Sequence, residues 1–223
     1  MHNFQKLEED IGYKFNDVLL LNKAFTHRSY AYENKVESNE KLEFLGDAIL
    51  EVTISKYLYK NYQKLKEGEM TKVRATVVCE QSLYEVAKKH NFSDFLNLGK
   101  SELANNGKER IAILADSVEA VIAAIYLDSN MENAEKFILT NLTDAVEIAS
   151  KHVGMKDYKT VLQEKLQAKG SVHIEYLTID EKGPDHAKIF TVELKVNGQV
   201  ETYGTGKSKK EAEMQAAKKA LGM

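Results

Sequence analysis

Along the first two thirds of the chain, apolar residues return at intervals of three and four, the period of helices that bury one face. Six helical segments are predicted, at about residues 4–11, 17–24, 38–62, 69–90, 109–128 and 131–149, with polar breaks between them. From Ser150 to Lys156 the period is lost and a glycine intervenes, so this stretch reads as a linker. Tyr158 to Lys169 then forms one more amphipathic helix, after which the period becomes two: Val172, Ile174 and Tyr176 alternate, as do Val192, Leu194 and Val196. Asn197-Gly198 ahead of Val200 to Tyr203 is a two-residue hairpin signal. A last helix runs from about Lys209 to Leu221. The fold class is therefore mainly α: an all-helical N-terminal domain over residues 1–149, a linker over 150–156, and a C-terminal α-β-β-β-α domain over 157–223. The two helices of the second domain are expected to lie on one face of a three-stranded antiparallel sheet.

Composition changes this picture little. Hydrophobic residues make up 43% and charged residues 29%, as in an ordinary globular protein. A single cysteine, Cys79, excludes an intramolecular disulfide framework, fits a reducing interior, and reads as a small core residue inside a helix. The N-terminus, Met1 to Asp10, is too acidic and polar for a secretory signal. The longest apolar stretch, Ile111 to Leu127, carries Asp116 and Glu119 and is too short for a comfortable membrane span. A cytoplasmic protein without membrane partner or small-molecule cofactor is expected. Net charge is −3 overall, −4 for residues 1–156 and +1 for 157–223, so only local clustering can reveal a polyanionic partner.

Two helices carry the candidate chemistry. In Asn39 to Val52, Leu42, Leu45, Ile49 and Val52 form an apolar stripe, while Glu40, Glu43, Asp47 and Glu51 line another face. Alone, such a stripe is the usual mark of a solvated surface. The run from Ile111 to Leu127 is apolar or small at nearly every position and belongs in a core, yet Asp116 and Glu119 sit three apart on one of its faces. A buried carboxylate is costly unless protonated, paired or bound to metal. Basic neighbours are scarce, with Lys108 and Arg110 at the helix start and Lys136 next. If the two helices pack together, Glu43 and Asp47 face Asp116 and Glu119, and four carboxylates repel one another until a divalent cation enters. Oxygen ligands alone select Mg²⁺, with Mn²⁺ as a substitute, over Zn²⁺, and carboxylate-held Mg²⁺ suits phosphodiester hydrolysis. Gly46, costing about 1 kcal/mol inside a helix, would permit close approach beside Asp47. A structural account, with both core acids hydrogen-bonded to backbone or tyrosine, stands beside this one.

The run Asn39-Glu40-Lys41-Leu42-Glu43-Phe44-Leu45-Gly46-Asp47-Ala48 closely resembles the ribonuclease III signature, and Ala115-Asp116-Ser117-Val118-Glu119-Ala120 resembles that family's second acidic motif. Thr26-His27-Arg28-Ser29-Tyr30 and Leu98-Gly99-Lys100 are similar to further family segments, and the similarity covers essentially the whole chain. The resemblance implies Mg²⁺ ligation by Glu43, Asp116 and Glu119, catalytic roles for Asp47 and Glu119, and supporting acids at Glu40 and Glu67. It also implies a homodimer in which Phe44 inserts into the partner, although core packing is an equally fair reading of Phe44. His27 suggests a general base, but a hydrogen-bonded structural histidine accounts for it better. Ala123 stands where the family commonly has glycine, and Asn105-Asn106 where a glycine pair is frequent; neither departure touches an acid.

In the second domain, Ser208 and Glu211 form a capping box at the start of the last helix, and Lys209 and Lys210 sit in its first turn, where the helix dipole disfavours them. A docked anion explains that placement, since lysines, free N–H groups and dipole together clamp phosphate; a solvated basic helix end explains it too. The small face of Ala212, Ala216, Ala217, Ala220 and Leu221, the turn Gly183-Pro184-Asp185-His186 and the helix opening Asp157-Tyr158-Lys159-Thr160-Val161-Leu162-Gln163-Glu164 are similar to the parts of double-stranded-RNA-binding domains. Ile174 stands where proline is common there. The resemblance implies RNA contacts by Gln163, Glu164, His186, Lys207, Lys209 and Lys210, and a reading of A-form shape over about 16 base pairs.

The function these features imply is a metal-dependent endonuclease. It would cut both strands of double-stranded RNA to 5′-phosphate and 3′-hydroxyl ends, and resemblance to the family implies maturation of ribosomal and transfer RNA precursors and processing of structured messengers. A duplex-binding regulator whose helical domain only dimerises is opposed by the intact acid set. A phosphohydrolase of small molecules would leave the second domain unexplained.

Overall fold

The apolar run from Ile111 is the hub of the first half of the chain in a computed structural model that describes residues 4–153, 158–168, 170–184 and 188–222. The chain divides into two units, Met1–Gly154 and Met155–Met223. The first holds α1 (Gln5–Ile11), α2 (Val18–Ala24), α3 (Arg28–Asn34), α4 (Glu40–Asn61), α5 (Glu67–Val77), α6 (Glu80–Lys89), α7 (Lys100–Ala104), α8 (Ile111–Asp128) and α9 (Met131–Val153), with 3-10 turns at Phe92–Asp94 and Gly107–Glu109. Helix α8 buries Ile113, Leu114, Ala115, Val118 and every residue from Ala120 to Ile125. It packs against α2, α4, α6 and α9, as a helix apolar on all sides must. Ser117, buried among these residues, donates its hydroxyl to the Leu114 carbonyl at 2.6 Å, so that hydroxyl is satisfied. No helix among the described residues is long and apolar enough to cross a membrane.

Helix α4 meets α8 at Gly46. A Cβ at this position would lie 1.9 Å from the carbonyl oxygen of Glu119, so only glycine lets the two backbones approach this closely. The contact sets Glu43 and Asp47, which flank Gly46 on α4, against the stretch of α8 that carries Asp116 and Glu119.

Several elements differ from the sequence-based expectation. The helix predicted over 69–90 is two helices, α5 and α6, broken at Val78 and Cys79. Thr76, Val77 and Val78 form a β-branched run of low helix propensity. Cys79 adopts extended backbone as the N-cap of α6, with its Sγ 3.2 Å from the Thr76 carbonyl, and is exposed rather than buried within a helix. Helices α3 and α7 are additional, of 7 and 5 residues; α3 buries only Ala31 and α7 buries no residue, so neither shows an apolar period. Helix α9 continues through Val153, into the stretch read as a linker. Lys151 pairs with Glu147 one turn back at 2.6 Å and Val153 packs against the core, so helical contacts persist where the apolar pattern fades. Phe44 is 82% exposed, which removes the core reading. With Val52 and Tyr59 it forms an exposed apolar line along α4.

The second unit runs α10 (Tyr158–Gln167), β1 (Ile174–Lys182), β2 (Ile189–Val196), β3 (Gln199–Gly206) and α11 (Lys209–Ala220). Its sheet is antiparallel in the order β1-β2-β3. Asn197 and Gly198 take φ of 51° and 81°, the two left-handed residues of a type I′ hairpin, and Val196 pairs directly with Gln199. Val192 and Leu194 alternate inward, and Leu162, Leu194, Ala216, Ala217 and Leu221 share one small core. Here too a glycine meets a helix, since a Cβ on Gly204 would lie 2.0 Å from the Ala212 carbonyl oxygen. The small face of α11 thus rests directly on β3.

Gly46→Ala should lower the free energy of unfolding by about 2 kcal/mol or more, because the added methyl must push α4 off α8. Urea denaturation of the variant measures this, and an unchanged midpoint would show that the two helices do not touch at this point.

Candidate active site

The start of α4 is held by its neighbours before its acids come into play. Buried Asn39 donates its backbone N–H to the Thr26 carbonyl at 2.8 Å and its side-chain amide to the Ala24 carbonyl at 3.2 Å. The same α2–α3 loop is stitched to residues 97–99. Thr26 bridges Asn97, His27 N–H donates to the Asn97 carbonyl at 3.1 Å, and Gly99 N–H donates to Ser29 Oγ at 2.9 Å. His27 is the N-cap of α3, with Nδ1 2.8 Å from Ser29 Oγ. Burial pushes its pKa down. Its Nδ1 is thus engaged in hydrogen bonds, as the structural reading of this histidine expects.

Within this frame Glu43, Asp116 and Glu119 each offer a carboxylate oxygen, and the three lie within 4.8 Å of one another, half-buried. Burial raises the Glu43 pKa first, and repulsion from Glu40 and Asp47 adds to it. Asp116 is pushed up to about 6 by burial, then by Glu43 and Glu80. Glu119 is pushed up to about 8 by burial, then by Asp47, Asp116, Glu43 and Glu80. Both loss of solvation and like charge act in the same direction. Three converging hard oxygen donors, none in a salt bridge among the described residues, fit a hard divalent cation.

The other candidate acids occupy different places. Asp47 is exposed and acts on Glu119 through its charge, outside the set of three oxygens. Glu40 is exposed in the first turn of α4 and accepts a hydrogen bond from Ser38 Oγ at 2.7 Å. Glu67 opens α5 and accepts from Thr71 Oγ1 at 3.0 Å. From Glu43 to the end of α4 is about 27 Å of helix at 1.5 Å per residue, and Glu67 follows beyond that end. It is not one of the three acids whose carboxylate oxygens converge. Two further groups act on the cluster without having been picked from sequence: Glu80, the first residue of α6, and Arg28, the first residue of α3. The Glu80 position carried no signal while 69–90 read as one helix.

In the second unit, Ser208 accepts from Glu211 N–H at 3.2 Å, and Glu211 Oε2 accepts from Lys207 N–H at 2.7 Å, which caps α11 from both directions. Lys207, Lys209 and Lys210 are all exposed there. Lys209 reaches Glu181 at 3.0 Å, an exposed pair of little strength. Gln163 and Glu164 are exposed on α10. His186 lies outside the described residues.

Residues 17–146 match the Ribonuclease-III-like family, and residues 158–222 match the double-stranded RNA binding motif. Fold and site together thus define a two-domain nuclease, one domain gathering carboxylates and the other built for duplex RNA. Ribonuclease 3 of Clostridium tetani is 46% identical over 220 residues, covering 98% of this chain and 94% of that one. The Streptococcus thermophilus enzyme of the same name is 48% identical, covering 97% and 96%. Among solved structures, the nuclease domain of ribonuclease III from Campylobacter jejuni is similar with a TM-score of 0.61 at 40% identity, over 65% of this chain and 96% of that one. The chain belongs to the ribonuclease III family and is a double-stranded-RNA-specific endoribonuclease.

The raised carboxylates make a pH prediction. The folded, metal-free protein holds protons on Asp116 and Glu119 that the unfolded chain has already lost, so their contribution to stability falls as pH rises from the ordinary carboxylate range to about 8. Thermal melts in a chelator should follow that fall, and added Mg²⁺ should raise Tm more at pH 8 than at pH 6, because the ion must displace those protons. An identical Mg²⁺ effect at both pH values would contradict ligation by these acids.

Proposed function

We propose that Glu43, Asp116 and Glu119 hold Mg²⁺, or Mn²⁺ in its place, and that Asp47 and Glu119 are the catalytic acids of an endonuclease leaving 5′-phosphate and 3′-hydroxyl ends. The observation that carries this reading is the convergence of three carboxylate oxygens within 4.8 Å, on two helices whose backbones are in contact. Bound Mg²⁺ supplies a Lewis acid and a water of lowered pKa. The chain supplies the rest. Glu43 from α4 and the pair Asp116 and Glu119 from α8 fix three donors on rigid elements. Asp47 is exposed, so a water arriving at the acids can donate to its carboxylate. Glu40 adds negative charge from the first turn of α4, and Glu67 has its supporting role by resemblance to the family.

The exposed apolar line of Phe44, Val52 and Tyr59 supports a homodimer, with a second copy covering it. A second solved structure of the Campylobacter jejuni nuclease domain, 39% identical, is described as flexible in a region involved in dimer formation. Two sites in such a dimer would cut opposite strands. In the second unit, Lys207, Lys209 and Lys210 at the α11 N-terminus would clamp phosphates, with Gln163, Glu164 and His186 contacting the minor grooves. The proposed setting is the cytoplasm, and the proposed substrates are precursors of ribosomal and transfer RNA and structured messengers.

Labelled duplex RNA incubated with and without Mg²⁺ tests the central reading. Wild type should cleave only with metal, while Glu119→Gln should bind and not cleave; equal cleavage by the variant, or none by either, refutes the assignment. Lys209→Ala combined with Lys210→Ala should weaken binding to unrelated duplexes alike and reduce the salt slope by roughly 1 per lost phosphate contact. A loss confined to one sequence would contradict recognition by shape.

A further inference from the structure

We infer that Arg28 holds a backbone phosphate of the RNA strand entering the acid cluster, as a substrate-positioning residue. The inference rests on the nuclease reading above and adds to it a residue outside the acids.

Arg28 is the first residue of α3, directly after the His27 cap. The loop before it is hydrogen-bonded through Asn39 to the first turn of α4, which carries Glu43, and through Asn97 and Gly99 to the segment ahead of α7. Hydrogen bonds therefore place the start of α3 beside the first turn of α4, where Glu43 stands. Its charge is felt there, since Arg28 is the one cation named, among the described residues, that lowers both Glu43 and Asp116.

The guanidinium nevertheless has no ion-pair or hydrogen-bond partner among the described residues, and Arg28 is exposed. Arg110, the other arginine whose charge reaches His27, is already paired with Glu102 at 3.0 Å. Around Arg28 stand Glu40, Glu43 and Asp116, with Asp47, Glu80 and Glu119 beyond, a setting that repels an incoming polyanion. An unpaired fork of N–H donors at the rim of such a site offers the opposite sign and the planar geometry that a phosphodiester takes. A cation serving only to balance the acids would be expected to sit in contact with one of them.

The test uses the full chain as wild type, Arg28→Ala, Arg28→Gln and Arg28→Lys. With a labelled RNA duplex and Mg²⁺, Arg28→Ala should lower the single-turnover rate about tenfold or raise the half-saturating duplex concentration about tenfold, with Arg28→Lys in between. In the Glu119→Gln background, the salt slope of duplex binding should fall by about 1 when Arg28 is changed to Ala. Mg²⁺ affinity without RNA, measured calorimetrically, and Tm should stay close to wild type. An unchanged slope together with wild-type cleavage overturns the inference. So does a loss of cleavage matched by an equal loss of Mg²⁺ affinity, which would make Arg28 a prop for the acids. If the Ala variant unfolds, Arg28→Gln, of similar reach without the charge, carries the slope measurement. If wild type itself fails to cleave, the nuclease reading falls, while the slope still decides whether Arg28 touches phosphate.

Discussion

The backbones of α4 and α8 touch at Gly46 and Glu119, and this contact governs the rest of the first unit. It leaves no room for a side chain, and it forces carboxylates from two helices into one half-buried space where like charge and lost solvation work against ionisation. The apolar body of α8, buried from Ile113 through Ile125 at most positions, supplies the burial that keeps the helices together despite that repulsion. The site is thus assembled before any ligand arrives, on elements whose own packing holds the donors in place. Ligand binding and fold stability are linked in such an arrangement, because a cation relieves a strain that the folded state carries and the unfolded chain does not.

The second unit uses the same device for a different end. Gly204 lets the Ala212 turn of α11 rest on β3, as Gly46 lets α8 rest against α4. Close packing there fixes the start of α11, where Ser208 and Glu211 cap the helix and the lysines stand exposed. One unit concentrates negative charge in a partly desolvated space, and the other presents positive charge at the surface. That division suits an enzyme whose substrate is a polyanion. Shape and phosphate can be held by exposed cations, whereas bond cleavage needs donors kept away from bulk water.

Much of this was legible in the residues themselves. Glu43 and Asp47 flank a helical glycine, Asp116 and Glu119 interrupt a helix otherwise apolar, and Asn197-Gly198 sits between two alternating runs. Each is a local conflict or a local signal: an acid where burial is expected, a glycine where helix propensity suffers, a dipeptide suited to positive φ. The break at Val78 and Cys79 was hidden because α5 and α6 both keep helical period, so a pattern of faces cannot show that the axis changes between them. Glu80 was hidden with it. Phe44 read equally as core or surface, since periodicity tells which residues share a face and not what that face meets.

By itself, then, the sequence determined most of the longer elements, the two-part organisation and the acids, because secondary-structure period and the cost of burying charge are properties of short stretches. Only the tertiary structure decided which acids converge. It grouped Glu43 with Asp116 and Glu119, left Asp47 exposed and Glu67 outside the group, and brought the charges of Glu80 and Arg28 to bear on it from positions that carried no signal. The reason is physical: distance between residues far apart in the chain is set by how whole helices pack, and no local period encodes it.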